Sequence, residues 1–121
     1  MRRPFAVIVA TVLAAGLLTL AACGGGDGDE PSGPPPAQVV ESGDPAKGEQ
    51  VFADNCAACH GGDGGGGTGP GLAGEEQYTD PEAVVDQVRN GGGGMPAFGE
   101  RLSAQELADV SAFVVRDLAA R

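Results

Sequence analysis

Residues 56–62 read Cys56-Ala57-Ala58-Cys59-His60-Gly61-Gly62, and this stretch holds the only histidine and two of the three cysteines in 121 residues. Two thiols three positions apart, with an imidazole beside the second, can all reach one small object. No other part of the chain offers a second such set. Just upstream, Asp44-Pro45 is a helix start: a capping side chain followed by proline at the first helical position. A helix from there should run to about Ala57 or Ala58. Gly48, Phe52 and Cys56 recur every four residues and share one face of it, which Cys59 and His60 continue where the helix ends.

Working outward, two more helices are legible. Thr79-Asp80-Pro81-Glu82 opens one that stops at Asn90-Gly91, with Val84, Val85 and Val88 as its apolar side. Ser103-Ala104-Gln105-Glu106 is a capping box, in which the serine hydroxyl bonds the backbone three residues on and the glutamate reaches back. The helix it opens carries Leu107, Val110, Val114 and Leu118 as its buried stripe, with Phe113 beside them. No segment alternates as a strand does, so the expected fold class is all-α. Between the helices lie glycine-rich stretches, Gly61 to Gly74 and Gly91 to Glu100. Gly62 to Gly67 matches G-x-G-x-x-G by composition alone, since no strand precedes it and no helix follows directly. Such loops are either floppy or pass close to something flat where side chains would clash.

The globular part, residues 44–121, has no tryptophan, one tyrosine and three phenylalanines. A domain this small needs a staple. The C-x-x-C-H run has three readings. Structural zinc wants four ligands, and no Cys/His pair remains after Cys56, Cys59 and His60. A thioredoxin-type redox pair wants a βαβ context and a helix N-terminus, whereas this pair sits at a helix C-terminal end. Covalent haem c fits the position: both cysteines add to haem vinyl groups as thioethers, and the adjacent histidine meets the iron. Haem also supplies the missing core, and the haem-free chain should then be unfolded or molten. Elimination points to the sixth ligand. A second histidine is lacking, Lys47 is the only lysine and lies on the first helix, and Met95 is the only methionine besides Met1. Met95 sits in a loop, Gly94-Met95-Pro96-Ala97-Phe98, and a thioether there favours Fe(II) and raises the potential.

With these residues in order, 44–121 resembles a class I, bacterial-type, mono-haem cytochrome c. The likeness rests on Gly48, Phe52, Cys56, Cys59 and His60 in the first helix and haem motif, Gly69-Pro70-Gly71-Leu72 in the first loop, and Met95-Pro96-Ala97-Phe98 in the second. It implies a small fold of about three helices around one covalent haem, with Gly48 and Phe52 packing near Val110 and Phe113. It also implies that the Pro70 carbonyl accepts a hydrogen bond from the second ring nitrogen of His60. The tryptophan that often meets a haem propionate in this family is absent, leaving Tyr78 or Arg89 as substitutes. One lysine cannot form the docking ring of mitochondrial relatives.

Residues 1–22 read as an export signal. Arg2 and Arg3 precede an apolar run from Phe5 to Leu20 that is too short for a comfortable membrane span. Leu20-Ala21-Ala22-Cys23 resembles a lipobox, which makes Cys23 a lipidated N-terminus; the alternative is ordinary cleavage with an incidental cysteine. Residues 23–43, rich in Gly, Pro and acid, read as a disordered tether. From residue 23 onward, five basic residues face seventeen acidic ones, a net charge of −12. Nucleic acid and anionic lipid surfaces are thereby excluded as partners, and any electrostatically steered protein partner is basic. The expectation is a monomeric, lipid-anchored, one-electron carrier on the outer side of a bacterial cytoplasmic membrane or in a periplasm, serving redox proteins. Its rivals are a dedicated haem subunit of a dehydrogenase or terminal oxidase, and a haem sensor or peroxidase-like protein with an open iron position.

Overall fold

The structure, a computed structural model, describes residues 33–121. The expected export signal, Cys23 and the first part of the tether lie outside the described residues. Five α-helices follow in order: α1 (Pro36–Ser42), α2 (Pro45–Asn55), α3 (Ala57–His60), α4 (Pro81–Asn90) and α5 (Ala104–Ala112). A 3₁₀ turn, Glu76–Tyr78, precedes α4, and a π-helical turn, Phe113–Leu118, extends α5. The described residues contain no strand, only an isolated bridge between Gly92 and Met95. The all-α expectation holds.

Helices α2, α4 and α5 start where their capping residues stand. An Asp44 carboxylate oxygen accepts the Ala46 amide at 3.0 Å, and one from Asp80 accepts the Glu82 amide at 3.0 Å. Ser103 and Glu106 close the full capping box. Three boundaries differ from the sequence reading. The first helix is interrupted at Cys56, whose φ of −115° departs from helical values, so that α3 restarts as a separate turn carrying Cys59 and His60. The last helix widens after Ala112, and the Ala119 amide donates to the Val114 carbonyl five residues back. That wider turn leaves Leu118 fully buried, with its carbonyl accepting the Gly74 amide at 3.0 Å.

The third difference is a correction. The tether does not extend unstructured to residue 43. Residues 36–42 form α1, with Pro36 at its first helical position and Val39 and Val40 buried at 5% and 3% exposure. Two adjacent valines in a polar stretch are too few for a periodic signal, yet they suffice to dock this short helix against α4 and α5.

The core is centred where α2 crosses α5. Gly48 permits the approach, because a Cβ there would overlap the Asp109 carbonyl and stand 2.8 Å from the Phe113 Cβ. The Phe52 and Phe113 rings pack with centroids 5.5 Å apart. Buried Asp109 accepts the Asp44 amide at 2.8 Å, tying the start of α2 to α5. Among the described residues, no helix is long and apolar enough to cross a membrane.

Candidate haem site

The α2–α3 joint presents its two cysteines differently. Cys56 is buried and Cys59 exposed. Burial, with the neighbouring Cys59 adding to it, pushes the Cys56 thiol up to about 11, so it stays protonated at neutral pH and behaves as an apolar lining group. His60 is 9% exposed, and its Nδ1 lies 2.9 Å from the Pro70 carbonyl oxygen. A carbonyl only accepts, so Nδ1 carries the proton and Nε2 keeps its lone pair. The loop from 61 to 74 is built to hold this ring. Gly69 donates its amide to the Cys59 carbonyl at 2.8 Å and Gly66 to that of His60 at 2.7 Å. A Cβ on Gly69 would stand 3.1 Å from His60 Cε1. These glycines are packed, not floppy.

Beside His60 lies a cavity of about 480 Å³ lined by Phe52, Cys56, His60, Pro70, Leu72, Gln77, Tyr78, Ala83, Val84, Gln87, Val88, Gly92, Gly93, Met95, Val110 and Val114. A second, of about 280 Å³, shares Cys56, His60, Pro70, Gly93 and Met95 with it and adds Cys59, Thr68, Gly94, Pro96 and Phe98. Helices α2, α4 and α5 and both glycine loops therefore converge on one divided slot. Met95 is half-buried, and its loop is pinned by reciprocal backbone bonds with Gly92 at 2.9 and 3.0 Å. Gly91 to Gly94 all have positive φ, a conformation that residues with a Cβ rarely adopt. Phe98 and Gly99 then donate their amides to the Val88 and Arg89 carbonyls at 2.9 and 3.0 Å, tying the loop to the end of α4.

The residues present fit haem. Both thiols, the free Nε2 and the Met95 thioether belong to residues lining the slot, whose remaining walls are largely apolar. Without an occupant, the apolar walls of this slot would face water, which disfavours the folded state. A bare metal ion fits less well, since no group of three His, Cys, Asp or Glu side chains among the described residues could hold one.

The structure brings Cys56, Cys59, His60, Pro70 and Met95 together around the slot; Cys23 lies outside the described residues. Of the two substitutes for the missing tryptophan, Tyr78 lines the larger cavity and Arg89 does not. Gln87 escaped the sequence reading. Its Nε2 donates to the Gly92 carbonyl at 3.1 Å and lies 3.7 Å from the Met95 sulfur. Its only signal is its position one helical turn ahead of the Met95 loop.

A C-x-x-C-H turn opening on an apolar slot, with α2 crossed by α5 behind it, defines a c-type haem protein. The family model described as "Cytochrome C oxidase, cbb3-type, subunit III" matches residues 43–114, and the chain belongs to this cytochrome c family. It is 43% identical over 79 residues to cytochrome c6 of Diacronema lutheri, covering 60% of this chain and 95% of that one. Among solved structures, cytochrome c6 of the diatom Phaeodactylum tricornutum is 41% identical with a TM-score of 0.54, covering 60% of this chain and 92% of that one. Cytochrome cL of Hyphomicrobium denitrificans is 26% identical with a TM-score of 0.53, covering 66% of this chain and 49% of that one. The protein is a cytochrome c6-like electron carrier with covalent haem c, an electron-transfer protein and not an enzyme.

Proposed function

We propose that the protein carries single electrons between redox proteins outside the cytoplasm, with His60 and Met95 as the two axial ligands and Cys23 as a lipid anchor. The observation that carries the ligand assignment is that His60, its proton fixed on Nδ1 by Pro70, and Met95 line the same two cavities. Haem c, when bound, supplies a one-electron Fe(III)/Fe(II) couple. The chain's own residues keep the cost of that change small. The Pro70 carbonyl holds the imidazole in one rotation and raises its basicity. The reciprocal Gly92–Met95 bonds hold the thioether, and Phe52, Val84, Val110 and Val114 keep water from the slot.

The surface supports brief encounters with a basic partner. The rim formed by Cys59, Thr68, Gly94 and Pro96 is exposed and uncharged, so a partner can approach closely without desolvating a charge. Glu75, Glu76, Asp80, Glu82 and Asp86 are exposed carboxylates in the segment that also supplies Gln77 and Gln87 to the slot. They would speed the encounter with a cationic surface, in a salt-dependent way.

The decisive test is the visible spectrum of the haem-loaded protein, oxidised and reduced, followed by carbon monoxide. A weak sulfur-to-iron band when oxidised, with no prompt carbon monoxide shift when reduced, is expected. A prompt shift would overturn Met95 as the resident ligand and leave the open-iron sensor or peroxidase reading in its place. Labelled palmitate recovered on the wild-type protein but not on Cys23→Ser tests the anchor. A second reading, a dedicated haem subunit of a terminal oxidase, is favoured by the family model's description. It predicts stoichiometric co-purification with such a complex.

A further inference from the structure

Helix α1 lies outside the residues matched by the family, 43–114, yet it is docked. Its packing partners are α4 and α5, against which it buries Val39 and Val40. Its end is bonded as well: the Gln105 side-chain amide reaches the Ser42 carbonyl at 3.3 Å and Asp109 at 2.8 Å. Gly43 follows, and a Cβ there would overlap the Ala108 carbonyl and meet the Ala112 Cβ at 2.8 Å. On α5, Ala108 and Ala112 stand two positions from Val110 and Val114, about 200° around the helix. Val110 and Val114 line the larger cavity. The chain entering from α1 thus crosses the back of α5, away from the slot.

The two sides of the slot hang from different elements. The His60 side rests on α2, α3 and the Pro70 loop. The Met95 side rests on α4, which lines the slot with Val84, Gln87 and Val88, puts Gln87 beside the Met95 sulfur and receives the returning loop at Val88 and Arg89. Helix α1 packs on α4.

We propose that α1 is a strap that couples the N-terminal segment to the sixth-ligand side of the haem. Seated, it holds α4 against α5 and keeps the Met95 loop closed. Pulled away or cleaved, it loosens α4 and lets Met95 leave the iron while His60 stays bound. A membrane tether, partner or protease acting on the segment ahead of α1 thereby gains a handle on the sixth coordination position of the iron. The ligand-release half of this proposal rests on Met95 being the sixth ligand; the coupling of α1 to α4 does not.

The test uses the full haem-loaded chain with Val40→Asp, and Val40→Ala where the aspartate variant does not accumulate. Amide hydrogen exchange is followed in α4 and α2, and imidazole binding to the oxidised iron is timed. With the strap weakened, α4 amides should exchange roughly tenfold faster and imidazole should bind roughly tenfold faster, with α2 unchanged. Equal acceleration in α2 and α4 would overturn the proposal by making α1 part of one cooperative core, and no change in α4 would overturn it directly. If imidazole already binds the parent at once, Met95 is not the resident ligand. The α4–α2 contrast then still decides whether α1 is a strap.

Discussion

Gln87 stands where it would adjust the proposed ligand Met95 without touching the iron. Its amide nitrogen lies 3.7 Å from the Met95 sulfur, and a hydrogen bond there would draw on the lone-pair density that the thioether offers a haem iron. A thioether that gives less charge favours Fe(II) over Fe(III), which raises the reduction potential. Gln87→Leu keeps the bulk and removes the donor. At most about 1 kcal/mol of hydrogen bonding is lost, which for one electron is roughly 40 mV, and the long sulfur contact places the effect at the lower end. The expected result is a potential lowered by roughly 20–40 mV in a spectroelectrochemical titration, with the sulfur-to-iron band retained. An unchanged or raised potential would remove Gln87 from the site's electronics. His60 was legible from its motif because C-x-x-C-H is a contiguous pattern. Gln87 was not, because its relation to Met95 exists only once α4 and the glycine loop are folded against each other.

At the scale of elements, the α2–α5 crossing and the α5 cap are the sensitive points. Gly48→Ala drives a methyl into the Asp109 carbonyl and towards Phe113. The neighbours are backbone and a helix-borne Cβ, which cannot rotate aside. The cost should exceed about 3 kcal/mol, read as a large fall in the urea midpoint of the reduced holoprotein. The cap sets a pH dependence. Hydrogen bonds from the Ser103 hydroxyl and backbone amide hold the Glu106 carboxyl below its ordinary value of 4.5. A depressed folded value stabilises the native state above the unfolded value, and that contribution is lost as pH falls through the folded one. Glu106→Gln should therefore flatten the decline in stability below about pH 4.5, with the difference from wild type narrowing as acid is added. Parallel urea midpoints from pH 6 down to pH 3 would show that the cap carries no such linkage. Both the glycine at position 48 and the capping box were visible as patterns. The π-helical turn was not: Phe113 to Leu118 is an ordinary apolar helical stripe, and the wider turn arises as Leu118 packs beside Gly64 and bonds Gly74.

For the whole molecule, the slot at its centre predicts that folding and haem binding are one event. With cavities of about 480 and 280 Å³ left unfilled, the valines and phenylalanines around them lose their partners, and among the described residues no disulfide restrains the chain. Haem-free protein should give a poorly dispersed amide NMR spectrum, and a thiol reagent should label Cys56 and Cys59 at similar rates. A dispersed spectrum with Cys59 labelled far ahead of buried Cys56 would mean that the protein scaffold folds without its cofactor.

What the sequence by itself determined are the features that rest on local chemistry and spacing. Capping residues set the helix starts, the four-residue repeat of Gly48, Phe52 and Cys56 set the face that crosses α5, and C-x-x-C-H set the haem attachment point. Tertiary structure alone decided the rest. It interrupted the first helix at Cys56, placed Gln87 against Met95, and folded residues 36–42 onto α4 and α5. The physical reason is the same in each case. A cap or a metal-attachment motif is satisfied within a few residues of chain, whereas two valines in a polar segment, or a glutamine on a helix surface, acquire a partner only when a distant element is packed against them.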